Sequence, residues 1–266
     1  MADERYGRAF GQDLAGQLAR LGLSRGDTVL VHARLSGTGL DAEPLRDALL
    51  TALGADGTLV VPAFTPENSD TSHAYLRRVD GMTPTQAAAF RATMPAFDPA
   101  TTSCAGIGRL AECVRTTEGA VRSAHPQTSF AALGRRAAEL LAEHPLESHL
   151  GEDSPLGALY RAGARVLMIN VGFGVCTAFH LAEYRTGAPL RKYRCVVRGA
   201  DGPEWTEYKD VELDDSDFDA VGNTFRWDPG QKGQLGGTTA RLFAIRDAVD
   251  HAVEWMTEKR RCLTER

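Results

Sequence analysis

Three polar side chains, Thr177, His180 and Glu183, recur at intervals of three in an otherwise apolar segment. Residues three apart share one face of an α-helix, so this spacing predicts a polar stripe. A carboxylate beside an imidazole can orient it and stabilise its protonated form, while the second ring nitrogen removes a proton from an attacking amine. The same spacing also occurs on ordinary solvated helix faces, and the pattern alone leaves both interpretations open.

Two other chemistries can be weighed for this segment. Cys176 lies four residues before His180 and could act as a thiol nucleophile, although a single cysteine is more often a small buried apolar residue. A metal site would need more ligands than His180 and Glu183, and the other histidines show no matching spacing. We therefore expect no metal.

A second candidate functional segment is strongly acidic. Residues 201–219 contain nine carboxylates against one basic residue, Lys209. This composition is typical of a solvated loop, and it also suits a site that binds a polycation.

With 266 residues, 43% of them hydrophobic and 24% charged, the chain has the composition of a soluble globular protein. The net charge of −5, with dispersed Lys and Arg, argues against nucleic acid as the main partner. Five cysteines without a C-x-x-C pair fit a reducing compartment. No uninterrupted apolar stretch has the length of a signal peptide or a membrane span, so we expect a cytoplasmic protein with no membrane partner.

The elements that must position these residues follow from hydrophobic patterning. Short apolar runs at residues 28–31 and 58–61 predict buried strands, and residues 43–53 between them have helical periodicity. This β-α-β unit places the loop of residues 32–39 at the carboxyl edge of a sheet, where ligands bind in such folds. A third buried strand at residues 165–171 leads into the helix that carries His180.

Further elements complete the predicted fold. Helices are expected at residues 107–114, 130–143, 177–185 and 238–261, with Ser129 as the N-cap of the second, and Ser154 with Pro155 begins another. Residues 66–103 show no sustained period and predict a long loop, and residues 192–211 predict short antiparallel strands. The expected fold is α/β, with a central mixed β-sheet flanked by helices in three α/β/α layers and a smaller antiparallel β/helical lobe. We expect one domain over residues 1–266, in which residues 192–235 form the small lobe on the substrate side.

Five segments, taken in order, resemble one protein family. They are HARLSGTG, GAVRSAHPQTSFAALG, AEHPLESHLGEDSPLGALYRAGARVLMINVG, TAFHLAEYRTGAP and DHAVEWMTEK. They look like the aminoglycoside 3-N-acetyltransferases, which use acetyl-coenzyme A and are distinct from the GNAT superfamily, and the resemblance runs over residues 10–259. It implies acetylation of the 3-amino group of the 2-deoxystreptamine ring of aminoglycoside antibiotics, and hence resistance.

The resemblance also implies roles for individual residues. The family's helical base matches His180, its orienting carboxylate matches Glu183, and Thr177 would stabilise the tetrahedral oxyanion. Acetyl-coenzyme A is expected at His32, Leu35, Ser36, Arg122, Ser123, His125, Ser129 and Phe130. The ammonium groups of the antibiotic are expected at Asp214, Asp215 and Asp217.

Departures from the family pattern leave alternatives open. The first loop reads HARLSG where the family often has an HSSLS-like stretch, and residues 64–94 depart further. The expected mechanism is direct attack of the amine within a ternary complex. An acetyltransferase that acts on a small biosynthetic amine is the main alternative, and a non-catalytic binding protein is a second. The sequence does not distinguish a monomer from a homodimer.

Overall fold

A seven-stranded mixed sheet forms the centre of the structure, a computed structural model that describes residues 13–200, 202–226, 228 and 231–260. Its strand order is β3-β4-β2-β1-β5-β9-β8, in which β1 is parallel to β2 and β5, and β4 and β9 are antiparallel to their inner neighbours. The strands are β1 (Thr28–Ala33), β2 (Thr58–Pro62), β3 (Val121–Arg122), β4 (Phe130–Gly134), β5 (Arg165–Ile169), β8 (Lys232–Leu235) and β9 (Thr238–Ala244). The predicted central mixed sheet is confirmed.

The three parallel strands are aliphatic because both of their faces are covered. In β1, Leu30 faces one core and its neighbours Val29 and Val31 face the other, as the two-residue period of a strand requires. Counted over the described residues, seven helices of six or more residues cover these faces: α1 (residues 13–20), α2 (Ala42–Leu53), α5 (Arg109–Thr116), α7 (Pro155–Arg161), α8 (His180–Arg185), α9 (Phe218–Thr224) and α10 (Ile245–Lys259). Two more helices, α3 (His73–Val79) and α4 (Pro84–Ala92), lie outside both cores. Helices α1, α2 and α5 pack on one face, and α7 to α10 pack on the other.

The helix predicted over residues 130–143 is wrong in its first half. Residues Phe130–Gly134 form β4, which pairs with β2, and only Ala137–Leu140 form a short helix, α6. Gly134 has a φ of 122°, and a Cβ there would lie 2.3 Å from the carbonyl oxygen of Gly57. Ser129 is consequently not an N-cap. A short apolar run does not distinguish a buried strand from a helix, and here the distant partner strand decides.

The helix predicted over residues 238–261 is likewise too long. Residues Thr238–Ala244 form β9, which pairs with β5, and the helix begins only at Ile245. Residues 66–103 were predicted to be a long loop, but they contain α3, α4 and a 3-10 turn at Pro66–Asn68. Neither α3 nor α4 has a buried residue, which explains the missing apolar period, although Thr83 and Gln86 form a capping box that marks the start of α4.

A second, two-stranded sheet stands beside the central one. Strands β6 (Leu190–Gly199) and β7 (Gly202–Val211) pair antiparallel, as predicted, and are longer than expected. The connecting residue Asp201 lies outside the described residues, as do residues 1–12. No helix in the described part of the chain is both long and apolar enough to cross a membrane.

Candidate active site

A cavity of about 620 Å³ opens at the carboxyl ends of the three parallel strands. The ends of β1 and β2, the loop that follows β5, the first turn of α5 and the segment before α9 form its walls. This edge is the one at which open α/β sheets bind ligands, and the volume lies in the range of small-molecule sites. The prediction that residues 32–39 begin at this edge is confirmed.

Two residues of the predicted polar stripe, Thr177 and His180, lie at the floor of the cavity. Residues Thr177–Phe179 form a 3-10 turn and α8 begins at His180, so Thr177 and His180 both line the cavity. His180 Nδ1 lies 2.7 Å from Glu183 Oε2, and the His180 ring packs 4.6 Å from the ring of Phe218. Because Nδ1 is held by the carboxylate, Nε2 is the ring nitrogen that remains for a substrate proton.

Glu183 is fully buried but well supplied with hydrogen bonds. Its Oε1 accepts from Arg260 Nη1 at 2.8 Å and from the backbone N–H of Asp214 at 2.9 Å. A buried carboxylate is costly unless it is paired and hydrogen-bonded, and here both conditions are met.

A second histidine, His32 at the end of β1, lines the same cavity. The residue is 8% exposed, and its Nε2 has no hydrogen-bond partner within the described residues. Burial, and then the positive charge of His180, lowers the pKa of His32 to about 4. At neutral pH the cavity therefore contains a neutral imidazole with unused hydrogen-bonding capacity.

The thiol of Cys176 is buried and does not line the cavity. Burial raises the pKa of Cys176 to about 12, which keeps the thiol protonated and unreactive at neutral pH. Within the described ranges, no three His, Cys, Asp or Glu side chains are grouped so as to hold a metal ion.

The residues expected to bind acetyl-coenzyme A separate into two groups. His32, Leu35 and Ser36 line the cavity, whereas Arg122, Ser123, His125, Ser129 and Phe130 do not. The Arg122 guanidinium donates to the carbonyl oxygens of Ala63 and Thr102 and to Ser129 Oγ. Ser129 Oγ itself donates to Ala63 at 2.8 Å. This second group therefore supports the backbone that follows β2, next to the cavity wall at Phe64.

Two cationic side chains at the cavity were not among the sequence-based site residues. Arg34 follows β1, and Arg109 is the first residue of α5. The carbonyl oxygen of Arg34 accepts from Asn170 Nδ2 at 2.9 Å, and Asn170 itself has a φ of 53°. Arg34 stood in the predicted ligand loop, so the sequence did carry a signal for it. Arg109 is 75 positions further along the chain and reaches the cavity only through the packing of α5.

The three aspartates expected to bind the antibiotic also separate into one that lines the cavity and two that do not. Asp215 lines the cavity, and its carboxylate makes no hydrogen bond or ion pair within the described residues. Asp214 accepts from Ser216, whose hydrogen bonds lower the Asp214 pKa, and Asp217 is paired with Arg260 at 2.7 Å. Of the three predicted substrate ligands, the structure leaves Asp215 free to face the cavity.

A buried polar network joins the β6–β7 hairpin to the body. The Asp210 carboxylate lies 2.7 Å from His149 Nδ1 and accepts from the Tyr184 hydroxyl of α8 at 2.7 Å. His144 lies beneath it, with Nε2 at 2.8 Å from the carbonyl oxygen of His149. The rings of His125 and His149 are 4.5 Å apart, so three histidines are buried together.

This cluster predicts sensitivity to acid. Burial lowers the pKa of His144 to about 3 and holds that of His125 well below its usual range. The unfolded chain therefore binds protons that the folded chain excludes. The contribution of each histidine to the free energy of unfolding is fully present above pH ~6.5 and falls as the pH drops, by up to ~1.4 kcal/mol per pH unit. Urea unfolding at pH 7.5 and 5.5 checks this. The slope with pH should be smaller in His144→Gln, and equal slopes in the two proteins would contradict the assignment.

Comparisons with known proteins identify a family for the chain. The family described as aminoglycoside 3-N-acetyltransferase matches residues 30–257. The SPbeta prophage-derived aminoglycoside N(3')-acetyltransferase-like protein YokD of Bacillus subtilis (strain 168) is 37% identical over 92% of this chain and 91% of its own. Its crystal structure superposes with a TM-score of 0.85, covering 94% of this chain and 99% of that one.

Two further relatives extend the match. Aminoglycoside N(3)-acetyltransferase VII of Streptomyces paromomycinus is 35% identical over 92% of this chain and 91% of its own. The structure of AAC-IIIb as a binary complex with CoASH is 28% identical, with a TM-score of 0.78 over 94% of this chain and 96% of that one.

Proposed function

This chain belongs to the aminoglycoside 3-N-acetyltransferase family, and we propose that its cavity transfers the acetyl group of acetyl-coenzyme A to the 3-amino group of the 2-deoxystreptamine ring of an aminoglycoside. The observation that carries the proposal is the pair of His180 and the buried Glu183 at a cavity that also contains Thr177 and Asp215. The AAC-IIIb relative, which was solved with CoASH, supports the identity of the acetyl donor.

The chemistry of the cavity fits acetyl-coenzyme A. Arg34 and Arg109 can pair with phosphate groups, and the apolar wall that includes Leu35 and Val175 suits the pantetheine chain. His32 offers a neutral hydrogen-bonding group in the same cavity, and no group among the described residues satisfies its Nε2.

Each residue of the pair has one task in the proposed mechanism. His180 Nε2 takes a proton from the acceptor amine as the amine nitrogen attacks the thioester carbonyl carbon. Glu183 balances the positive charge of the resulting imidazolium. The Thr177 hydroxyl donates to the carbonyl oxygen, where negative charge develops. The C–N bond forms, the C–S bond breaks, and His180 returns its proton to the departing sulfur, so that coenzyme A leaves as a thiol.

The proposal is tested by measuring thiol release from acetyl-coenzyme A with kanamycin, gentamicin, apramycin and neomycin as acceptors. Release that depends on one of these antibiotics supports the proposal and begins a map of substrates. Folded protein that releases no thiol with any of them would favour acetylation of a small biosynthetic amine instead.

Asp215→Asn is expected to raise the KM for the aminoglycoside about 3- to 30-fold with a smaller effect on kcat. The substitution keeps the shape of the side chain but removes the charge that pairs with an ammonium group, and solvent at this exposed position moderates the effect. Steady-state kinetics at saturating acetyl-coenzyme A measure it. Glu212→Gln is the matched control, since it removes a carboxylate from the same segment outside the cavity. Equal KM values in Asp215→Asn and the wild type would remove Asp215 from the substrate site.

Arg34→Ala is expected to raise the KM for acetyl-coenzyme A about 5- to 30-fold, because a partly screened contact between a guanidinium and a phosphate is lost. The KM for S-acetylpantetheine, which lacks the nucleotide phosphates, should stay unchanged. Arg135→Ala serves as the control, since Arg135 pairs with Asp56 at 2.8 Å and does not line the cavity. A parallel loss with both thioesters would argue that Arg34 shapes the loop and does not bind phosphate.

A further inference from the structure

We infer that Arg260 is a positioning residue that stabilises the base form of the His180–Glu183 pair, an inference that rests on the proposed role of that pair as the base. Arg260 directly follows α10 and lies 77 positions after Glu183 in the chain. No spacing in the sequence connects it with the site.

The contact is direct and nearly buried. Arg260 Nη1 donates to Glu183 Oε1 at 2.8 Å, while the second carboxylate oxygen, Oε2, lies 2.7 Å from His180 Nδ1. The Glu183 side chain has no exposed surface, and that of Arg260 is 23% exposed. The Arg260 guanidinium, the Glu183 carboxylate and the His180 imidazole therefore form a hydrogen-bonded chain that ends at the cavity.

Several acceptors hold Arg260 in this position. Its Nε and Nη2 donate to the two oxygens of Asp217 at 2.8 and 2.7 Å, and Nη2 also donates to the carbonyl oxygen of Asp214 at 2.8 Å. Burial alone would disfavour the cation, but the hydrogen bonds to Asp217 and Glu183 outweigh it and raise the Arg260 pKa. Asp217, expected from the sequence to bind substrate, thus has its carboxylate engaged by Arg260.

The sign of the effect follows from charge. In its base form the pair carries a neutral imidazole and a carboxylate, with a net charge of −1, and the protonated pair is neutral. A guanidinium beside the carboxylate stabilises the base form, wherever the added proton would reside within the pair.

Other titratable groups also face His180. They are His32 from β1, His149 from the loop before α7, and Asp214 and Asp215 from the acidic segment. Among the described residues, Arg260 is the cation in ion-pair contact with Glu183. We therefore assign the protection of the base form at low pH to this residue.

The test compares wild type with Arg260→Gln by two measurements. One is the pH profile of kcat/KM for the aminoglycoside, whose acid limb should move about one pH unit upward in the variant. The other is an NMR titration of the His180 ring, assigned by the loss of its signal in His180→Gln, which should shift in the same direction. An acid limb and a ring titration that both coincide with those of the wild type would overturn the inference.

The NMR titration needs no turnover, so it still reports on Arg260 if the proposed function fails. Lys259→Gln is the matched control, because it removes a cation from the adjacent position, where Lys259 pairs with Glu258 at 2.7 Å, and it should leave both curves in place. Arg260→Lys keeps the charge and should hold the midpoints within about 0.3 pH units of wild type. If Arg260→Gln does not fold, Arg260→Met takes its place, because it keeps an aliphatic stem and removes the charge: an upward shift would support the inference, and unmoved curves would overturn it.

Discussion

Replacing His180 with alanine is expected to lower kcat for acetyl transfer about 10²- to 10⁴-fold, the contribution usual for a positioned general base. His180 lies at the cavity floor with its Nδ1 on Glu183, and no other imidazole contacts that carboxylate within the described residues. Glu183 keeps its hydrogen bonds from Arg260 and from the backbone of Asp214 after the substitution, so the variant should remain folded. Thiol release at saturating substrates measures the loss, and thermal unfolding verifies the fold.

His73→Ala is the control for this experiment, since His73 is exposed at the start of α3 and outside the cavity. Wild-type turnover in His180→Ala would exclude His180 as the base. The thiol alternative has a separate test, the intact mass of the protein after incubation with acetyl-coenzyme A alone. A stable acetyl adduct that disappears in Cys176→Ala would require a covalent intermediate, against the high pKa of the buried Cys176 thiol.

Asp210→Ala should lower the free energy of unfolding by about 3 to 5 kcal/mol, the cost of removing the centre of a buried charged network. The Asp210 side chain is 2% exposed and accepts from the backbone N–H of His149 at 2.6 Å, from the Tyr184 hydroxyl at 2.7 Å and from the backbone N–H of Val211. All of these donors would be left buried without an acceptor. Urea unfolding at pH 7.5 measures the loss.

Tyr184→Phe gives the graded comparison, because it removes one donor and keeps the carboxylate. We expect it to cost about 1 to 2 kcal/mol. Asp210→Ala should also reduce turnover, since Tyr184 directly follows Glu183 on α8. If Asp210→Ala were no less stable than Tyr184→Phe, the network would not be the main link between the hairpin and the body.

The sequence predicted the parts of the fold whose signal is local. The β-branched and aliphatic runs of β1, β2 and β5 identify buried strands wherever their partners lie, and the cap formed by Ser154 and Pro155 marks the start of α7, with Ser154 Oγ accepting from Leu156. The predictions for strands β4 and β9 were wrong because the segments FAALG and TTARLFA are equally compatible with a helix. Pairing with β2 and β5, which lie far away in the sequence, makes them strands.

The site was predictable to a similar extent. Spacing within one helix brought His180 to Glu183, whereas Arg109 and Arg260 reach the site through tertiary packing alone. The resemblance placed Ser123, His125 and Phe130 at the acetyl donor, and the structure buries all three outside the cavity. A motif shared by a family does not reveal whether its residues touch a ligand or support those that do.

Helix α8 is only six residues long, well below the length at which a helix persists on its own. Its shape is supplied by neighbours, with Arg260 holding Glu183 and Asp210 holding Tyr184. Substitutions in the acidic segment or in the hairpin therefore also disturb the residues that hold α8 in place. A change at Asp210 or Asp217, neither of which lines the cavity, is therefore expected to slow the chemical step that depends on His180.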